Sequence, residues 1–183
     1  MRAGRVIIVS GPPGAGKTTV ARELAARFER SVHLENDQFF AAIRTGYIEP
    51  WLAATEAQNQ VILRAAAAAA AEFAAGGYSV VVDGVVIPRN VRVYEERLTG
   101  LGMSPVYAVL LPNAETVLRR GMARADRELS ESVYRQMHAR FLAEAPADSV
   151  IDTTRLSRSQ SADAVLALAE RVGILLASIA DAR

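Results

Sequence analysis

The chain has no cysteine, a single lysine, two histidines and no long uninterrupted apolar run. Without cysteine there can be no disulfide and no thiolate metal site, a composition that suits a reducing compartment. Arg, Glu or Asp interrupts every apolar stretch before it reaches the length of a membrane span. The opening residues, MRAGRVIIVSG, contain a short apolar run but no signal-peptide cleavage pattern. A cytoplasmic location is therefore expected. The formal net charge is only +1, so there is no general attraction to nucleic acid or anionic lipid. No repeat, Pro-rich linker or domain boundary is visible, and one domain over residues 1–183 is expected.

The scarcity of lysine is the more telling deficit. Of 21 basic residues 20 are Arg, and the only Lys is Lys17. A genome biased toward Arg and Ala codons accounts for most of this. A lysine kept at one position suits a site that needs a compact ammonium on a flexible stem rather than a planar fork.

Apolar residues make up 51% of the chain, enough for a substantial core. β-rich runs alternate with helical patterns. Strands are expected at residues 5–9, 31–34, 79–82, 105–111 and 150–152. Helices are expected at residues 17–29, 37–45, 52–75, 90–98, 114–123, 131–143 and 161–177. The runs VIIV and VVV are continuously apolar and β-branched, as buried parallel strands are. The alternation implies a parallel sheet with helices on both faces and right-handed crossovers. Seven consecutive alanines, 65–71, predict a small-residue helix lying close on the sheet, with Gly76-Gly77 as its stop.

Residues 11–19, GPPGAGKTT, match G-x-x-x-x-G-K-[ST] between a hydrophobic strand and an amphipathic helix. Gly11, Gly14 and Gly16 let the backbone wrap a phosphate. Pro12 and Pro13 carry no N–H, so the donors come from Gly14, Ala15, Gly16, Lys17, Thr18 and Thr19, at a helix N-terminus whose dipole favours an anion. Lys17 is placed for the β- and γ-phosphates of ATP, and the Thr18 hydroxyl for Mg²⁺.

Asp83 follows the third strand in VVVDG. It is read either as a second Mg²⁺ group near the phosphate loop or as half of an Asp-Gly turn. A guanine-specific switch is excluded, because its Asn/Thr-Lys-x-Asp signature needs a second lysine. A compact chain of this size favours a small kinase over a mechanical ATPase. Arg120, Arg124 and Arg127 recur at helical spacing in RRGMARADRE. They are read as a mobile lid over about residues 120–135 that neutralises the migrating phosphoryl group. Arg on a helix can also be only a solvated face.

The segment HLENDQFF, residues 33–40, joins the second strand to the next helix. Asp37 there is read both as a helix cap and, at the carboxyl end of a parallel strand, as an active-site carboxylate.

Taken in order, GPPGAGKTT, ENDQFF, VVVDGV, RGMARADR and VIDTTRLS resemble the small P-loop kinases of the adenylate-kinase-like group over nearly the whole chain. The resemblance is greatest to the branch containing chloramphenicol phosphotransferase and related AAA-type kinase domains. It implies a three-layer α/β fold with a five-stranded parallel sheet in the order 2-3-1-4-5, ATP as donor, Mg²⁺, and a hydroxyl on a small molecule as acceptor. By the same resemblance Asp37 takes the acceptor proton, Lys17, Arg120, Arg124 and Arg127 act on the phosphates, and Thr153 and Arg155 lie where the adenine base packs.

The segment RTGYIEPW, 44–51, matches no acceptor-binding pattern. Phe40, Tyr47 and Trp51 are read either as a stacking wall or as core, with Glu35, Arg44 and Arg89 as polar contacts. His33 and His138 are read as structural or surface groups. An antibiotic or nucleoside-like natural product is the expected acceptor on resemblance alone. Nucleotides, sugar-nucleotides and nucleic-acid 5′-ends are the rivals, and an ATP-hydrolysing regulatory module is the rival of another class. No nucleic-acid or membrane partner is expected, and the protein is expected as a monomer or homodimer.

Overall fold

Five parallel strands form the centre of the molecule: β1 Val6–Ser10, β2 Ser31–Glu35, β3 Ser79–Asp83, β4 Val106–Leu110 and β5 Val150–Ile151. The computed structural model describes residues 4–123 and 129–181. The strands lie in the order β2-β3-β1-β4-β5, the expected one. Among the described residues seven α-helices surround them: α1 Lys17–Ala25, α2 Asn36–Ala41, α3 Glu56–Ala75, α4 Val91–Thr99, α5 Ala114–Met122, α6 Glu131–Glu144 and α7 Arg158–Asp181.

Strand alternation sorts the core into layers. Ile7, Val9, Val81, Ala108 and Leu110 face Val20, Ala21 and Leu24 of α1 and Ala162, Val165 and Leu168 of α7. Val6, Ile8, Val80 and Val82 face the opposite way, onto α3 and α4. The inner strands β1, β3 and β4 are therefore buried on both faces, which explains their apolar runs, whereas the edge strands β2 and β5 are half-buried. Each fully buried Val, Ile or Leu contributes about 1.5–3 kcal/mol of transfer free energy.

The alanine run does what its composition implies. Ala66, Ala67, Ala70, Ala71 and Ala74 form one buried face of α3 against the sheet. The helix stops in a Schellman arrangement: Gly77 has φ 82°, Tyr78 N–H donates to the Phe73 carbonyl at 3.0 Å, and Gly77 N–H donates to that of Ala74 at 3.0 Å. The Phe73 and Tyr78 rings meet edge to face across the stop.

Helix ends differ from expectation for local reasons. α1 stops at Ala25, four residues early, because Arg27 and Phe28 N–H bond three residues back while Ser31 Oγ takes the Ala25 carbonyl at 2.7 Å. α2 begins at Asn36 and ends at Ala41, where Ile43 N–H turns back to Phe40 O and the chain leaves toward Gly46. α7 starts three residues early through a capping box, with Gln160 N–H donating to Ser157 Oγ and Ser157 N–H to Gln160 Oε1. Among the described residues no helix is long and apolar enough to cross a membrane.

The register sets the site. Val9 pairs with Asp83, and Glu35 pairs with Asp83 on the other side. Both carboxylates therefore stand at the carboxyl edge of the sheet, next to the loop that leaves β1.

Candidate active site

The loop from Gly11 to Gly16 takes three left-handed or positive-φ steps, at Gly11, Gly14 and Gly16. Gly16 is the N-cap of α1. No side chain caps the helix there, and its first turn holds no acid. The first amides of α1 are thus offered to an external anion. At Gly14 a Cβ would sit 2.4 Å from the Val117 carbonyl, so the loop lies directly on α5. Lys17 Nζ donates to the Pro12 carbonyl at 3.1 Å, folding its stem across the loop. A cavity of about 630 Å³ opens over these groups, lined by Gly14, Gly16, Lys17, Thr18 and Thr19 and by Asp83, Glu35, Arg22 and Arg120.

This donor set fits a nucleoside triphosphate with Mg²⁺. Backbone amides and an ammonium meet the phosphates, and the Thr18 hydroxyl and Asp83 carboxylate are hard oxygen ligands. Among the described residues no group of three or more His, Asp or Glu could hold a metal alone. A Mg²⁺ here would share its coordination with phosphate oxygens and water, its usual arrangement at such sites.

Asp83 is 4% exposed, at the end of β3. Gly84 follows in a bend and has no positive φ. A Cβ on Gly84 would lie 2.6–2.9 Å from the Asn36 side chain, so Gly84 makes room for Asn36. Asn36 is buried and accepts from the Tyr94 hydroxyl at 3.3 Å. Burial pushes the Tyr94 phenol up to about 12, against the opposing effect of that hydrogen bond, so it remains a neutral donor at ordinary pH.

Asn36 opens α2, and Asp37 lies in its first turn, with Glu35 at the N-cap position and no side-chain cap bond. Asp37 therefore sits inside the helix rather than at its N-cap position. A carboxylate in the first turn still interacts favourably with the helix dipole.

Glu35 accepts from Arg22 at 2.7 Å, and this bond and charge hold the Arg22 guanidinium above its ordinary value. Glu35 lines the phosphate cavity and not the neighbouring one. His33 lies beside both acids, with Nε2 3.5 Å from Asp83 and Nδ1 3.6 Å from Glu35. Its buried Nε2 makes no hydrogen bond.

A second cavity, about 940 Å³, adjoins the first. Asp37, Pro13 and Val85 line both. Phe40, Trp51 and Arg89 line the second, whereas the exposed Arg44 lines neither. Val85 is held in place by its neighbour: Ser10 Oγ donates to Val86 O at 2.8 Å and accepts from Val86 N–H at 3.0 Å. Tyr107 donates to the same carbonyl at 2.7 Å, its phenol raised by burial.

Arg120 reaches the phosphate cavity from α5. The next residue, Gly121, would place a Cβ 2.2 Å from the Tyr134 ring of α6, and Tyr134 is nearly fully buried. α5 is thus clasped between the phosphate loop and α6. Gly121→Ala should cost about 1–3 kcal/mol by overpacking, lowering Tm by about 2–4 °C per kcal/mol. In thermal unfolding Gly173→Ala is the control: its Cβ meets nothing within 4 Å, so it should be neutral or slightly stabilising. Equal Tm values for the two variants would contradict the clasp.

Arg124 and Arg127 lie outside the described residues. Thr153, buried with its hydroxyl unpaired, and the exposed Arg155 follow β5. Asp152 accepts from the Thr154 N–H and hydroxyl at 2.9 and 2.5 Å, which hold its carboxyl below the usual range. Thr154 also accepts from Asn113 N–H, at the N-cap of α5. His138 bonds the Pro112 carbonyl at 2.9 Å, a structural contact. Sequence reasoning had no signal for Arg22, Tyr134, Ser10 or Tyr107, whose partners are distant in the chain. Asn36 lies in the ENDQFF motif, but its role depends on Gly84 and Tyr94, which are distant in the chain.

A family model described as AAA domain matches residues 6–143. No curated protein matches the chain in sequence. Among solved structures, the tunicamycin resistance protein of Deinococcus radiodurans is similar at TM-score 0.66 and 22% identity, over 90% of this chain and 94% of that one. The APS kinase of Mycobacterium tuberculosis, solved with AMPPNP and APS, is similar at TM-score 0.71 and 18% identity, over 93% and 99%. Shikimate kinase from Acinetobacter baumannii, solved with shikimate, is similar at 0.59 and 23%, over 93% and 95%. At these identities the likeness is one of fold. With the family model spanning most of its length, the chain belongs to the AAA domain family and has the fold of the small P-loop kinases.

Proposed function

We propose that the protein is an ATP-dependent phosphotransferase that moves the γ-phosphoryl group to a hydroxyl of a small molecule. The observation that carries this reading is the position of Asp37, on the wall shared by the phosphate cavity and the larger one beside it. An acceptor in the second cavity would present its hydroxyl where a carboxylate and the phosphate-binding loop meet. The solved structures of similar fold include kinases of APS and shikimate, which supports the reaction class.

In this reading Lys17 and the first amides of α1 bind the β- and γ-phosphates. Thr18 and Asp83 would hold Mg²⁺, which would supply charge neutralisation at the phosphoryl oxygens. Arg120 adds positive charge from α5, and Arg124 and Arg127 complete a lid over about residues 120–135. Thr153 and Arg155 pack the base of ATP. Asp37 orients the acceptor hydroxyl and takes its proton as the new O–P bond forms and the bond to ADP breaks. Positioning and electrostatics dominate, because a loose transition state asks little of a base. The reading describes one kinase domain over residues 1–183, cytoplasmic, monomeric or homodimeric, with no nucleic-acid partner.

One similar structure is a tunicamycin resistance protein, which supports an antibiotic or other natural product as acceptor over a nucleotide or nucleic-acid end. Incubation with γ-labelled ATP and acceptor pools tests the reaction. Label should appear in an organic acceptor. Label found only as inorganic phosphate would make the protein an ATP-hydrolysing module instead.

A further inference from the structure

Glu35 and Asp83 pair across β2 and β3, so the residues that follow them, Asn36 and Gly84, leave the sheet side by side. Asp37 comes next. α2 is a helix of six residues with no side-chain cap, and Asn36 is its only buried residue. Phe39 packs against the α3 layer but is only partly buried. So short a helix does not hold its place by propensity. Its first turn rests instead on a buried amide, a group that costs free energy to bury unless it is hydrogen-bonded.

Two contacts fix that amide. Oδ1 accepts from the Tyr94 hydroxyl at 3.3 Å, and Tyr94 is fully buried in α4. A buried polar tie of this kind is directional, and it specifies one arrangement where apolar packing allows several. The rest of the Asn36 side chain comes down on Gly84, where Nδ2 would lie 2.6 Å from an added Cβ and the Asn36 Cβ 2.8 Å. Gly84 is in turn held to β1, its N–H donating to the Val9 carbonyl at 3.4 Å, just ahead of the phosphate loop. The contact therefore joins two pairs of neighbours, Asp83-Gly84 and Asn36-Asp37. Gly84 lines the phosphate cavity, Asn36 the larger one, and Asp37 both.

We infer that Asn36 is a positioning residue for phosphoryl transfer: seated on Gly84 and tied to Tyr94, it sets how far Asp37 stands from the phosphate loop. Its part in the reaction requires no contact with ATP or acceptor. The inference deepens the phosphotransferase reading above and rests on it. A misplacement of about 1 Å at a reacting centre can cost about 10²-fold in rate, so one tie at the root of α2 matters.

Tyr94 is absent from the walls of both cavities, so Tyr94→Phe cuts the tie without touching either. In transfer from γ-labelled ATP, kcat should fall at least about fivefold while KM for ATP stays within about threefold. A smaller fall in kcat would overturn the inference. Asn36→Leu/Tyr94→Phe replaces both partners by apolar groups of similar shape, which should bring Tm back toward that of the unmodified protein and leave kcat low. Recovery of kcat along with Tm would also overturn it, because the tie would then be packing alone. Hydrogen exchange followed by mass spectrometry reads the tie without any transfer. The α2 amides should exchange at least about fivefold faster in Tyr94→Phe, with those of α1, on the opposite face of the sheet, unchanged. Unaltered α2 exchange would again count against the inference. If α2 loosens as expected but the unmodified protein passes label to no acceptor, the phosphotransferase reading fails and the placing of Asp37 by Asn36 stands.

Discussion

Lys17→Ala should reduce phosphoryl transfer by about 10³-fold or more while the protein stays folded. Lys17 is the only ammonium among 21 basic side chains, and its Nζ lies over its own loop, 3.1 Å from the Pro12 carbonyl. Removing that part-buried bond costs about 1 kcal/mol, too little to unfold the domain. In the proposed reaction the loss would fall instead on the developing charge between the β- and γ-phosphates, which the loop amides alone would then meet. Lys17→Arg should recover little, because a planar fork does not place one compact charge at the point the loop encloses. The measurement is kcat/KM with γ-labelled ATP, alongside Tm to show that the fold persists. Transfer within about tenfold of the unmodified protein would remove Lys17 from the chemistry.

Asp37→Asn should lower kcat by about 10²–10⁴-fold, the usual contribution of a general base, with KM for ATP unchanged within a few-fold. The change keeps the shape of the side chain that lines both cavities and removes only its charge and basicity. Losing the carboxylate from the first turn of α2 costs about 0.3–1 kcal/mol of dipole interaction, so stability changes little. A fall in kcat with steady ATP affinity distinguishes a proton acceptor from a phosphate-binding group. Near-normal transfer by this variant would falsify the proposed base and leave Asp37 as part of the wall.

The sheet was legible because VIIV and VVV can satisfy their apolar surface only when covered on both faces. The phosphate loop was legible because nine contiguous residues carry its geometry. Asp83 could be placed beside it from topology alone, since parallel strands in this order end at one edge. What lay hidden depends on partners distant in the chain. Ser10 and Tyr107 meet at Val86 from two different strands, and Gly121 reads as an ordinary helical glycine until the Tyr134 ring is seen against it. The wall of Tyr47, Trp51 and Leu52 could not be told from core by pattern, because its exposure follows from how Gln58 and Asn59 hold the segment. Arg44 and Glu35 were read as acceptor contacts from proximity in sequence. Arg44 lines neither cavity, and Glu35, bonded to Arg22, lines only the phosphate cavity.

α3 divides its length between two tasks. Its first two turns face the larger cavity through Glu56, Asn59 and Leu63, and the turns that follow rest on the sheet through alanine. An alanine face sets a short helix-to-sheet distance and tolerates no enlargement, so that half of the helix is conservative by construction. The leading half mixes the buried Ile62 and Leu63 with the exposed Glu56, Ala57 and Val61. Selection for a new acceptor can therefore change those exposed positions without disturbing the spacing that keeps the phosphate loop in register, which makes one helix both an anchor of the scaffold and a surface open to retuning.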